Sequence, residues 1–189
     1  MEEIQKEVHN AFEVIQKGGI ILYPTDTVWG LGCDANNPEA VKKIFALKKR
    51  AESKSMIVLI NGDRMLHQIF KEIPEVAWQI IEFSDKPTTL ILDHPKNVAK
   101  EIIAPDDSLG VRIVADPFCF RLIERMKSPL VSTSANLSGE PTARTFQEIN
   151  PIILDGVDYV VNLHQDRKAT PPSTIIKLTT DSKVTIIRK

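Results

Sequence analysis

Ile4, Val8, Phe12 and Ile15 recur at helical spacing and the run stops at Gly18-Gly19. That pattern predicts an amphipathic opening helix with a glycine stop. Residues 20–23 then switch to a short β-rich run that Pro24 breaks. Asn36-Asn37-Pro38 is a helix start, after which Val41, Ile44 and Phe45 form an apolar stripe. Lys42, Lys43, Lys48, Lys49 and Arg50 occupy the opposite face and the end. Further apolar runs predict strands over 56–60, 89–92 and 109–114, and helices over 65–70 and 76–83. Asp116-Pro117 supplies an N-cap and a first-turn proline for a helix ending at Met126. A strand over 130–132 runs into the hydroxyl-rich VSTSANLSGEPTART, and Thr145-x-x-Glu148 resembles a capping box for a brief helix. GVDYVVNL, STIIKL and KVTIIRK read as strands, and KATPPST between them is the most loop-like segment. Helices and strands alternate early and strands accumulate late. The expected class is therefore α/β, a mixed sheet flanked by helices in one domain over 1–189.

Composition narrows the functional classes. Hydrophobic residues make up 42% and charged residues 26% of 189, enough for a core in a globular domain. A net charge of −1 argues against a protein that works mainly by coating nucleic acid, while leaving room for local basic patches. Cys33 and Cys119 form no paired framework, so both read as small buried residues in a reducing, cytoplasmic setting. The acidic N-terminal stretch is unlike a secretory signal, and no apolar run approaches a membrane span.

Two segments share a grammar. Residues 130–132 end in Ser132, Thr133, Ser134, Asn136, Ser138 and Thr142; residues 20–23 break into Thr25, Asp26 and Thr27, followed by Gly30 and Gly32. Either could be a turn whose hydroxyls satisfy their own backbone. Either could also be a cradle for an oxygen-rich ligand at a strand end, where α/β sheets hold ligands. Gly30-x-Gly32-x-x-Ala35 matches a loose dinucleotide fingerprint, but Asn36-Asn37-Pro38 delays the helix that the fingerprint needs. In LKKRAESK the cations either stay solvated at a helix end or clamp phosphates through Lys48, Arg50 and Lys54. Arg112, amid apolar strand residues, either points outward or offers its fork to a carboxylate. The four histidines are scattered. No Walker loop, HExxH or Ser-His-Asp arrangement appears, which excludes P-loop nucleotidases and the common hydrolases.

Taken in order, YPTDTVWGLG, the Lys48-x-Arg50 cluster, LGVRIV with Arg112, STSANLSG with Ser134-x-Asn136, and PPSTIIKL resemble the YrdC-like threonylcarbamoyl-AMP synthases in their single-domain form. The resemblance implies an open twisted α/β sheet with a concave basic cavity. It implies a nucleotidyltransferase that makes threonylcarbamoyl-AMP and pyrophosphate from L-threonine, bicarbonate or CO2, and ATP, for threonylcarbamoyl-adenosine modification of tRNA. Lys48 and Arg50 are then the catalytic cations. Thr27, Arg112, Ser132 and Ser173 would hold threonine, with Arg112 on its carboxylate. Arg50, Lys54, Ser108, Ser134, Asn136, Thr142 and Arg188 would hold ATP, with Mg²⁺ carried on the phosphates and no protein metal site. Implied partners are tRNA or double-stranded RNA and a downstream threonylcarbamoyl-transferase complex. A competing reading is an RNA- or nucleotide-binding module of the same fold without catalysis. Three positions depart from the family pattern. Residues 84–89 replace a Trp-Pro-Gly-Pro-Leu-Thr run, Leu59 stands where some relatives have His, and Pro172 stands where others have Glu.

Overall fold

The structure is a computed structural model that describes residues 1–49, 56–181 and 183–189. Helix α1 (Glu2–Gln16) buries Val8, Ala11 and Ile15, and Gly18 follows at φ +76°, a conformation that glycine adopts at no steric cost. The order then runs β1 (Ile21–Tyr23), β2 (Gly30–Gly32), α2 (Pro38–Leu47), β3 (Ile57–Ile60), α3 (Asp63–Ile69), α4 (Glu75–Phe83) and β4 (Thr88–Asp93). It continues with β5 (Ser108–Ile113), α5 (Pro117–Met126), β6 (Leu130–Ser134), α6 (Pro151–Gly156), β7 (Tyr159–Val160), β8 (Thr174–Leu178) and β9 (Val184–Arg188).

Three of the helices start the same way. Asn37, Asp116 and Asn150 each accept a hydrogen bond from a first-turn amide (Ala40, Cys119 and Ile152), and each is followed by proline. The side chain satisfies one orphan N–H, and proline has none to lose. The first two starts match the sequence expectation. The third, Asn150-Pro151, opens α6, which periodicity did not predict because so few residues follow. The predicted capping box is not formed: Thr145 makes no side-chain cap, and the Glu148 carboxylate accepts from the Arg144 amide at 2.8 Å instead. Only a 3-10 turn, Phe146–Glu148, forms there.

The described strands make one mixed sheet in the order β7-β1-β2-β6-β3-β5-β4-β8-β9. β1/β7, β3/β5 and β4/β8 are parallel, and the remaining neighbours antiparallel. The glycine segment 30–32 is thus a central strand, with Gly30 opposite both Tyr23 and Ser134. This removes the dinucleotide reading, since the helix after it begins only at Pro38. Close strand packing explains another glycine: a Cβ on Gly110 would lie 2.7 Å from Ile57 Cγ2. Helices α1 and α5 pack together, and the core runs continuously from Val8 through β1, β3, β5 and β6 to Leu178. No helix of the described residues is long and apolar enough to cross a membrane.

Candidate active site

Side chains alternate across a strand, so every second residue of the central strands shares a face. On one face this gathers Gly30, Ile57, Thr89, Ile91, Gly110, Arg112, Ser132, Ser134 and Ile175 around a cavity of about 820 Å³. Loops close its sides: Thr25 to Val28 after β1, Pro141 to Arg144 after β6, and Ala169 to Ser173 before β8. The last of these is a strap tied to both other loops. Ala169 N–H donates to Arg144 O at 2.8 Å and Thr170 N–H to Thr27 O at 2.9 Å. Thr170 Oγ1 also donates to Asp26 O at 2.8 Å.

The β1 loop is organised by Thr25. Its hydroxyl donates to Val28 O at 2.7 Å and accepts from Thr27 N–H at 3.0 Å. Its proton is thus committed, so at 3.1 Å the Thr27 hydroxyl is the donor to it. Thr27 Oγ1 in turn receives only a long 3.4 Å bond from Arg112. Both threonines are buried and face the cavity. Arg112 is buried as well and lies 2.9 Å from Asp26 Oδ1. That contact, from a terminal guanidinium nitrogen, is coulombic and not an aligned hydrogen bond, because Asp26 Oδ1 has no hydrogen-bond partner among the described residues; Arg112 Nε has none there either.

Across the cavity, Arg188 of β9 reaches back to the strap. Its Nε donates to Ser173 O at 2.9 Å and a terminal nitrogen to Ser173 Oγ at 3.3 Å. Ser173 Oγ also meets Thr89 Oγ1 at 2.9 Å. The Arg188 guanidinium is held below its ordinary pKa, first by partial burial and then by repulsion from Arg112. The two guanidiniums thus share one hollow, with Arg112 set beside the Asp26 carboxylate and Arg188 without an ion pair among the described residues. Arg144 adds a third cation, and no carboxylate lines the cavity among the described residues.

Of the residues expected from sequence, Thr27, Arg112, Ser132, Ser134, Thr142, Ser173 and Arg188 meet around this cavity. Arg50 and Lys54 lie outside the described residues. Lys48 does not line the cavity. It is buried, and its ammonium donates to the carbonyls of Ser134 and of Asn136, the latter at 2.6 Å. Its own carbonyl accepts from Ser138 N–H at 2.8 Å. Lys48 therefore clamps the turn that presents Ser134. Asn136 works in the same turn, its amide donating to Leu137 O and Glu140 O at 3.0 and 2.8 Å. Its Oδ1 has no partner among the described residues. Ser108 shares the cavity face of β5 but does not line the cavity; it is buried, its hydroxyl donating to Asp106 at 2.6 Å. Sequence reasoning missed Thr89 and Arg144. Thr89 carried no signal in a β-rich run, and Arg144 sat unremarked inside the hydroxyl-rich stretch.

Comparison with known proteins points in one direction. The family model for Sua5, YciO and YrdC, described as "Telomere recombination", matches residues 13–189. The threonylcarbamoyl-AMP synthase of Pseudomonas aeruginosa is 34% identical over 153 residues, covering 80% of this chain and 82% of that protein. The crystal structure of P. abyssi Sua5 complexed with L-threonine superposes with a TM-score of 0.80 at 28% identity, over 90% of this chain and 50% of that one. This chain thus spans about half the length of that Sua5. E. coli YciO matches with a TM-score of 0.84 at 25% identity, over 98% of this chain and 89% of its own.

Proposed function

Since this chain belongs to the Sua5/YciO/YrdC family, we propose that it is a threonylcarbamoyl-AMP synthase. L-Threonine, bicarbonate and ATP give threonylcarbamoyl-AMP, pyrophosphate and water. The observation that carries this reading is a cavity lined by hydroxyls and three arginines, with no nucleophile–base pair among its described lining residues. The reaction asks for that composition. Once the threonine amine has captured CO2, the carbamate oxygen is the nucleophile at the α-phosphorus, and pyrophosphate leaves. The protein has to align the reactants and neutralise the charge developing on phosphate oxygens.

In this reading Arg112 receives the threonine carboxylate, supported by its under-used guanidinium. Thr27, Ser132 and Ser173 surround the amino acid. Arg188, Ser134 and Thr142, joined by Arg144, face the nucleotide. Lys48 acts by holding Ser134 in place. Ser108 is assigned no contact with ATP. No group of three or more His, Cys, Asp or Glu side chains converges among the described residues. Hydroxyls and guanidiniums do not make a cage for Mg²⁺, which would arrive on the ATP phosphates; no step is assigned to a protein-held ion. The product suits a transferase that passes the threonylcarbamoyl group to an adenosine of tRNA.

The test is pyrophosphate release from ATP with bicarbonate, with and without L-threonine, combined with mass detection of the adenylate. Release that requires threonine, together with the expected mass, is the predicted result. Nucleotide binding without threonine-dependent release would favour the non-catalytic module.

A further inference from the structure

An amino-acid carboxylate and a triphosphate are both anions, and the cavity that would hold them is shared. Something must assign the arginines. The three lining arginines differ in one respect. Arg112 has a carboxylate, Asp26, at 2.9 Å, with side-chain exposures of 4% and 18%. Arg188 and Arg144 form no ion pair with a described residue, and the Arg188 guanidinium donates to the neutral Ser173. The Asp26 contact is also off-axis: it supplies charge without a hydrogen bond on Oδ1, and Arg112 Nε has no partner, among the described residues. Asp26 is fixed in that place by its neighbours, since Thr170 binds the carbonyls of residues 26 and 27.

We infer that Asp26 is a specificity-determining residue. It cancels the net charge of Arg112 without taking an aligned hydrogen bond from it among the described residues, so the subsite takes an amino acid and refuses phosphate. The physical argument is one of scaling. The attraction of a multiply charged phosphate for a site grows with the site's net charge, whereas a zwitterion has none and depends on directed hydrogen bonds. A neutral Asp26–Arg112 pair therefore loses most of its pull on phosphate and keeps its geometry for a carboxylate. Arg188 and Arg144 have no counter-charge among the described residues and make the phosphate side. Asp26 does not line the cavity, so it acts through Arg112. The inference rests on the synthase reading for the identity of the two ligands.

Calorimetric titration of the whole chain tests it without turnover. For the unsubstituted protein, L-threonine affinity should be unchanged by inorganic phosphate; displacement of threonine by phosphate would overturn the inference and needs no variant to fold. In Asp26→Asn the affinity for inorganic phosphate should rise about tenfold or more, and phosphate should now compete with threonine. The gain should vanish in D26N/R112Q and be absent in Asp26→Glu. Unaltered phosphate affinity in D26N, or equal weakening of threonine, ATP and phosphate, would show a purely structural role. Threonine-independent pyrophosphate release by the unsubstituted chain would instead sink the synthase reading and leave the phosphate titrations to be judged separately.

Discussion

Replacing Lys48 by Met separates a clamp from a catalyst. Methionine keeps the apolar stem and roughly the volume, and removes only the ammonium. That ammonium lies in a buried setting and donates to two carbonyls, those of Ser134 and Asn136. Each bond to a charged donor is worth about 1.5–3 kcal/mol net, and the Asn136 carbonyl adds a desolvation cost when it loses its donor, whereas Ser134 O keeps the Asn136 N–H at 2.9 Å. Those two contributions overlap, so the expected loss is about 3–5 kcal/mol. For a chain of this length one kcal/mol moves the midpoint by about 2–4 °C, so Tm should fall by about 6–20 °C. Urea unfolding with an unchanged m-value is the cleaner assay, because it reports stability without a change in the surface exposed. Activity should fall mainly through a higher KM for ATP, since the Ser134 turn loses its tether. A variant less than about 1 kcal/mol destabilised, yet with kcat abolished at saturating ATP, would refute the clamp and return Lys48 to the chemistry.

Arg112→Ala should raise the threonine KM by about thirtyfold or more, the equivalent of one charged, bidentate contact, while the KM for ATP changes little; steady-state kinetics with each substrate varied would show it. Gly110→Ala should cost about 1–3 kcal/mol by chemical denaturation, because the new methyl would press on Ile57 Cγ2. Burial pushes the Tyr23 phenol above 10.0 and the Cys33 and Cys119 thiols above 9.0, with neighbouring Asp34 and Asp116 adding to the two thiol shifts. In the folded state these groups keep protons that the unfolded chain would release. Their contribution is therefore complete below the unfolded values and is lost as pH rises beyond them, so urea midpoints should decline between about pH 9 and pH 11. A flat profile across that range would contradict it. The same two cysteines, both buried, should react with a thiol reagent only after unfolding.

Much of the local architecture is legible without coordinates. Helices α1, α2 and α5 are signalled by apolar spacing and by Asn37-Pro38 and Asp116-Pro117, because caps and first-turn prolines act within a few residues of themselves. The two hydroxyl-rich breaks and the odd arginine in β5 could be read as candidates for the same reason. Their meaning could not. Whether Arg112 points outward or into a cavity depends on the pairing of β5 with β3 and β4, and pairing partners are far apart along the chain. The segment 30–32 reads as a glycine loop until β1 and β6 flank it as a strand. Lys48 reads in sequence as a solvated or phosphate-clamping cation of a basic run, and only the approach of the β6 turn makes it a buried brace. Apolar period and capping chemistry are properties of neighbouring residues, so most of the elements and the whole stock of donors can be read from the chain. Register and loop closure join residues far apart along the chain, so the fold settles which donors share a cavity, which brace it, and which arginine is given a counter-charge.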